Sequence, residues 1–287
     1  MKLTKKSVFI IFLAALTLAG CLAGCGGEKT VAGTTDATSP TSLESTPEST
    51  PAQTPVSTSE TEETLPPVDG TSWLLGETED AGEEYQNKMI FLGDSTTAHM
   101  IYRGGLLGGE DTAQVWRGEK NTITFVYIES EKILYPPTGD YISIQDAAAD
   151  AQPEYLVITL GVTGGVSSDL KEESFKKLYA WLLDSILEVS PRTTIIVQSI
   201  YPVNLKNDYQ KTITNGKICI YNEYVKDVVK EFHGAGKRVF FANTYEALLD
   251  DEGYMKEEYG NGDGLHISEE GYAVILHYLR THAVPLQ

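Results

Sequence analysis

From residue 89 onward, apolar runs of strand length alternate with longer amphipathic stretches, and that alternation leaves few architectures open to the chain. Strands are expected at 89–92, 154–160, 193–200 and 238–242, with a further one at 123–128. Runs such as Leu156-Val157-Ile158 and Ile195-Ile196-Val197 are apolar at successive positions, as strands buried on both faces must be. Between them, Phe175, Leu178, Leu182, Ile186 and Leu187 recur at helical spacing, as do Ile220, Tyr224, Val225, Val228 and Phe232. Ser268 is expected to cap a last helix carrying Val274, Ile275 and Leu279. Strands alternating with helices predict an α/β domain: a parallel sheet with helices on both faces, assigned to residues 87–287.

The residues before that domain read differently. Lys2, Lys5 and Lys6 precede an apolar run from Val8 to Leu18, too short to span a bilayer comfortably and right for a signal peptide over residues 1–25. Two tetrads follow, Leu18-Ala19-Gly20-Cys21 and Leu22-Ala23-Gly24-Cys25, and both resemble the bacterial lipobox. Cys25 is the preferred lipidation site because Gly26-Gly27 follows it, and Cys21 is the alternative; the expected partner is the membrane, through the lipid anchor. Residues 26–86 are assigned to a disordered tether, because their Thr, Ser, Pro and Glu cannot bury enough surface to offset the entropy of ordering. The stretch richest in them, from about Glu28 to Gly70, is about 40 residues and forms a coil roughly 35–40 Å across. Cys219, flanked by Ile218 and Ile220, is expected to be a buried packing residue.

Chemistry concentrates at two places. The first strand runs into Gly93-Asp94-Ser95, which places a serine at the carboxyl end of a strand and the start of a helix, where backbone N–H groups stabilise developing negative charge. Far downstream stands Asp263-Gly264-Leu265-His266. A serine nucleophile needs a base, and the base needs a carboxylate to orient it. Asp263 and His266, three residues apart in a glycine-rich loop, can supply both. His99, four residues after Ser95, is placed to line the pocket; His233, His277 and His282 are expected to be solvated. Trp116, Tyr102 and Tyr201 are candidates for stacking on a sugar. The loop lacks the closing glutamate of a calcium-binding loop, no cluster of metal ligands stands out, and the chemistry requires no cofactor.

These two motifs, in this order, resemble those of the SGNH/GDSL hydrolases, and the chain is similar to lipoprotein-like members found in Firmicutes. The resemblance covers residue 87 to the end. It implies a flavodoxin-like three-layer α/β/α sandwich with a parallel sheet, and a catalytic triad of Ser95, Asp263 and His266. It also implies an oxyanion hole built from the N–H of Ser95, a glycine-block N–H and a third-block side chain. Gly118 and Asn121 compete for the second role, and the third falls on Thr163, where the family carries asparagine.

The activity implied is a serine esterase at the cell surface, removing acetyl or short acyl groups from carbohydrate or cell-wall polymers. A binding module on a decayed scaffold and an O-acyltransferase are the alternatives. With 41 acidic residues against 22 basic and a net charge of −19, the chain is a poor candidate for wrapping nucleic acid.

Overall fold

The structure, a computed structural model, describes residues 71–285 apart from Gln210. The expected signal peptide with Cys21 and Cys25, and residues 26–70 of the expected tether, lie outside the described residues.

The strands are β1 (Met89–Gly93), β2 (Val115–Gly118), β3 (Lys132–Tyr135), β4 (Asp140–Ser143), β5 (Tyr155–Thr159), β6 (Thr194–Gln198) and β7 (Val239–Ala242). They form one seven-stranded sheet in the order β4-β3-β2-β1-β5-β6-β7. The five strands from β2 to β7 in that order are mutually parallel, while β3 and β4 add an antiparallel edge. All residues of β5, β6 and β7 are buried, which is why these runs show no alternation in the sequence.

The helices are α1 (Gly82–Asn87), α2 (Ser95–Ala98), α3 (Met100–Arg103), α4 (Ile144–Ala151), α5 (Glu172–Val189), α6 (Asn215–Gly234), α7 (Thr244–Ala247) and α8 (Glu269–Thr281). Thr214 caps α6 by accepting from the Lys217 N–H, and Ser268 caps α8 by accepting from the Gly271 N–H. Successive strand residues face opposite sides of the sheet. Leu92, Leu156 and Ile158 pack with Phe175, Leu182 and Val225 under α5 and α6. Met89, Phe91 and Val157 pack with Met100, Tyr272 and Ile275 under α3 and α8. The result is a three-layer α/β/α sandwich with two cores.

The structure departs from the sequence reading at several points. Residues 123–128, expected as a strand, carry a 3-10 turn at Phe125–Tyr127, although Ile123, Phe125 and Ile128 are all buried. The β2, β3 and β4 strands are each four residues long, too short to give a period of their own. On α6 the buried stripe is Ile218, Tyr221, Val225, Val228, Val229 and Phe232; Ile220 is 51% exposed. Cys219 points outward beside it, its sulfur 3.5 Å from the Tyr245 hydroxyl, and is not a packing residue. Finally, residues 71–86 belong to the fold and not to the tether. Leu74 bridges Phe241 of β7 in parallel, Leu75 is buried, and α1 packs on α8.

Candidate active site

Asp94 caps α2 from the end of β1, so Ser95 becomes the first residue of that helix. One carboxyl oxygen of Asp94 accepts from the Thr96 N–H at 3.1 Å and the Thr96 hydroxyl at 2.9 Å. Position 93 must be glycine for want of space: a Cβ there would sit 2.0 Å from the Thr97 hydroxyl and 2.5 Å from the Thr159 carbonyl oxygen. From α8, the Tyr272 hydroxyl donates to the Thr96 carbonyl and pins the turn from behind.

The second loop returns on itself through a bridge between Gly260 and Ile267 and a bond from the Asn261 N–H to the His266 carbonyl. Asn204 N–H donates to the Gly264 carbonyl and Asp208 N–H to the Asp263 carbonyl, so the loop is held in place despite its glycines. One oxygen of Asp263 accepts the N–H groups of Leu265 and His266, both at 2.9 Å. The other lies 2.6 Å from His266 Nδ1, and His266 Nε2 lies 2.9 Å from Ser95 Oγ. A carboxylate only accepts, so Nδ1 carries the proton and the Nε2 lone pair faces the serine hydroxyl. Burial pushes the Asp263 carboxyl up, but the bonds from His266 and Leu265 outweigh it and hold the group below the usual carboxylate range. Such a row can take the serine proton as the hydroxyl attacks a carbonyl, and return it to a leaving group.

The four residues considered for the oxyanion site fare differently. The Ser95 N–H, in the first turn of α2, has no acceptor among the described residues. Gly118 ends β2, and a Cβ there would lie 1.9 Å from the Thr122 carbonyl oxygen. The Asn121 N–H is taken by the Gly118 carbonyl at 2.9 Å and its side chain by Arg117, so it offers no backbone donor, a correction to the sequence reading. Thr163 uses its N–H on Asp94 at 3.4 Å and its carbonyl on the Phe125 N–H, leaving its hydroxyl unbonded among the described residues.

Around this row, the His99 ring lies 4.5 Å from that of His266, as its position four residues after Ser95 suggested. Burial, then the neighbouring His266 and Arg103, holds His99 below the ordinary histidine range. Trp116 and Tyr201 are core residues and cannot stack on a ligand, whereas Tyr102 is 52% exposed. His233 is not solvated: its ring nitrogens lie 3.1 and 3.0 Å from the Val239 and Thr71 carbonyls. Asp94 and Arg117 were not singled out from sequence. The capping position of Asp94 was visible there, but the place of Arg117 needs the sheet order. Among the described residues no group of three or more His, Cys, Asp or Glu could hold a metal ion, and no helix is long and apolar enough to cross a membrane.

A three-layer α/β/α fold with a Gly-Asp-Ser turn after its first strand and an Asp-x-x-His loop before its last helix is that of an SGNH-type serine hydrolase, an enzyme acting on ester bonds. The chain belongs to the GDSL-like lipase/acylhydrolase family, whose model matches residues 91–274, well over half of its length. Among solved structures it is similar to a family 3 carbohydrate esterase from Clostridium thermocellum, at 21% identity over 68% of this chain and 93% of that one, with a TM-score of 0.45. A carbohydrate esterase family 3 protein from Talaromyces cellulolyticus is 17% identical over 55% and 65%, with a TM-score of 0.41. A lipase/acylhydrolase from Enterococcus faecalis is 19% identical over 48% and 67%, with a TM-score of 0.35. No curated protein matches the chain.

Proposed function

We propose that the protein is a lipid-anchored serine esterase of the outer cell surface that removes acetyl or other short acyl groups from carbohydrate or cell-wall polymers. Ser95 is its nucleophile, His266 its general base and acid, and Asp263 the group that orients His266. The observation that carries this reading is the continuous hydrogen-bonded row from Ser95 Oγ through His266 to Asp263, with separations of 2.9 and 2.6 Å.

Ser95 Oγ attacks the ester carbonyl while its proton passes to His266 Nε2. The oxyanion that forms is met by the Ser95 N–H, with the Thr163 hydroxyl as a second donor. Collapse expels the alcohol, which takes the proton from His266, and leaves an acyl group on Ser95. Water then repeats the sequence, with His266 as its base, and frees the acid. Cys25, or Cys21 in its place, carries the lipid, and the Thr- and Ser-rich tether holds the domain out from the bilayer.

The reading is tested by p-nitrophenyl acetate hydrolysis and by covalent labelling with a fluorophosphonate. Wild type is expected to do both, and Ser95→Ala neither. Hydrolysis by Ser95→Ala at the wild-type rate would show that another group is the nucleophile.

A further inference from the structure

Ser95 is closed in on one side and open on the other. Beneath its turn lies a cavity of about 10 Å³, lined by Asp94, Thr96, Thr159, Ile200, Tyr201 and Leu265 and large enough for no more than one water. The bulk of any ester bound at Ser95 must therefore lie along the outer rim.

That rim carries two guanidinium groups. The β2 strand runs parallel to β1 with Arg117 level with Gly93, two residues before Ser95. Alternation along β2 turns Arg117 to the same face as Val115, which packs with Met100 and Ile101 of α3. There Arg117 Nη1 lies 2.8 Å from Asn121 Oδ1 and 3.5 Å from the Tyr102 hydroxyl. Arg103 follows Tyr102 on α3 and reaches His99 Nδ1 at 3.4 Å, beside the His266 ring.

All of these partners are neutral. Both arginines are half-buried, and neither makes an ion pair among the described residues. Elsewhere the pattern is different: Arg280 pairs with Asp80 at 3.0 Å, and Lys176 with both Glu172 and Asp227. In a chain with nearly twice as many acidic as basic residues, carboxylates are abundant, yet among the described residues none forms an ion pair with Arg103 or Arg117. A guanidinium steadied by neutral acceptors keeps a planar set of donors, and its full charge, for an anion.

Resting on the reading of Ser95 as an esterase nucleophile, we infer that Arg103 and Arg117 form an anion subsite at the mouth of the site, and that the natural substrate carries a carboxylate or phosphate close to the acylated hydroxyl. The charge belongs to the alcohol part of the ester, since a short acyl group has no room for it. Tyr102, exposed with its hydroxyl 3.5 Å from Arg117 Nη1, offers its ring to the carrier of that charge.

The test measures kcat/KM of the full-length protein for three aryl acetates: 4-acetoxybenzoate, 4-acetoxyphenyl phosphate and the neutral methyl 4-acetoxybenzoate. Differences in leaving-group reactivity cancel when the anionic-to-neutral ratio is compared between proteins. In Arg103→Gln/Arg117→Gln the ratio should fall about tenfold or more, as expected for losing charge-assisted bonds. Arg117→Lys should retain part of the preference, and added salt should erode it in wild type. Whichever anion loses more identifies the subsite as one for carboxylate or for phosphate. A ratio unchanged within twofold in the double variant would overturn the inference. Calorimetric titration of Ser95→Ala with 4-hydroxybenzoate and phenyl phosphate supplies a reading without turnover. Binding that disappears with the two arginines supports the subsite, and binding indifferent to them, or no binding, sinks it. Failure of the esterase reading looks different: no Ser95-dependent hydrolysis of the neutral ester while arginine-dependent anion binding persists.

Discussion

The Oδ2 atom of Asp94 accepts the backbone N–H of Thr163 at 3.4 Å, so the residue in front of the serine also holds the loop that follows β5. Its Oδ1 atom meanwhile caps α2 through Thr96. One buried carboxyl thus fixes the distance between the turn bearing Ser95 and the loop bearing the Thr163 hydroxyl. The β1 and β5 strands pair in parallel with Gly93 level with Thr159, which brings both loops to the same end of the sheet.

Burial pushes the Asp94 carboxyl above its ordinary value of 3.8, against the opposing bonds from Thr96 and Thr163. The sign of its effect on stability follows. As pH rises past 3.8 the unfolded chain releases this proton first, while the folded protein keeps it up to the raised value. Stability from this group is therefore greatest below 3.8 and falls as pH climbs through that window. Asparagine does not titrate. From about pH 4 to about pH 8, wild type should lose more thermal stability than Asp94→Asn, so the difference in Tm moves toward the variant. A difference that stays flat or moves the other way would show that the carboxyl is not held in this condition. The variant should also lose kcat, because its amide turns a second donor toward the Thr163 N–H.

The Thr163 hydroxyl is the remaining donor of that residue able to meet an oxyanion, since its N–H is engaged by Asp94. Removing one such donor costs on the order of a hundred- to a thousandfold in rate. Thr163→Val should therefore lower kcat on p-nitrophenyl acetate by about a hundredfold with little change in KM. Thr163→Asn, whose amide reaches further, should raise kcat above wild type. If Thr163→Val is as active as wild type, the hydroxyl takes no part.

The strands nearest the site could be read in the sequence because β1, β5, β6 and β7 are apolar at nearly every position and have no other solution than a buried parallel sheet. The motifs at Ser95 and at Asp263 with His266 were equally legible, since each lies within a few consecutive residues. What escaped was set by pairing between distant segments. β2, β3 and β4 are too short to announce themselves, and the apolar Ile123, Phe125 and Ile128 are buried from an irregular segment with a 3-10 turn at Phe125–Tyr127, not from a strand. The apolar neighbours Ile218 and Ile220 made Cys219 look internal, although only Ile218 of the three faces the sheet. Whether Asn121 has a free N–H depends on one turn bond to Gly118, which no composition or spacing reveals.

Asp263 holds His266 through Nδ1 and at the same time accepts two backbone N–H groups. Asparagine would keep the size but could turn a donor toward Nδ1, favouring the tautomer that leaves Nε2 protonated and unable to accept from Ser95. Asp263→Asn should cost on the order of 10²- to 10⁴-fold in kcat, with the loop otherwise intact. A loss under tenfold would place the orienting role elsewhere.

The segment before β1 gives the last prediction. The Leu75 N–H donates to the Phe241 carbonyl at 2.9 Å, the Phe241 N–H donates to the Trp73 carbonyl at 2.8 Å, and the Leu75 side chain is 4% exposed in the core shared by α3 and α8. Lys230 of α6 lies over the Trp73 ring at 4.7 Å. Residues 73–75 thus extend the sheet beyond β7 and cover an edge that would otherwise expose unpaired backbone. Truncating a buried leucine costs about 2–4 kcal/mol, and in a domain of this size each kcal/mol lowers Tm by about 2–4 °C. Leu75→Ala should therefore lower Tm by roughly 4–16 °C. A chain started at Thr71 should match the full-length protein in Tm, while one started at Asn87 should lose more than Leu75→Ala does, because it gives up the backbone pairing and α1 as well. Equal Tm values for the chains started at residues 71 and 87 would return residues 71–86 to the tether.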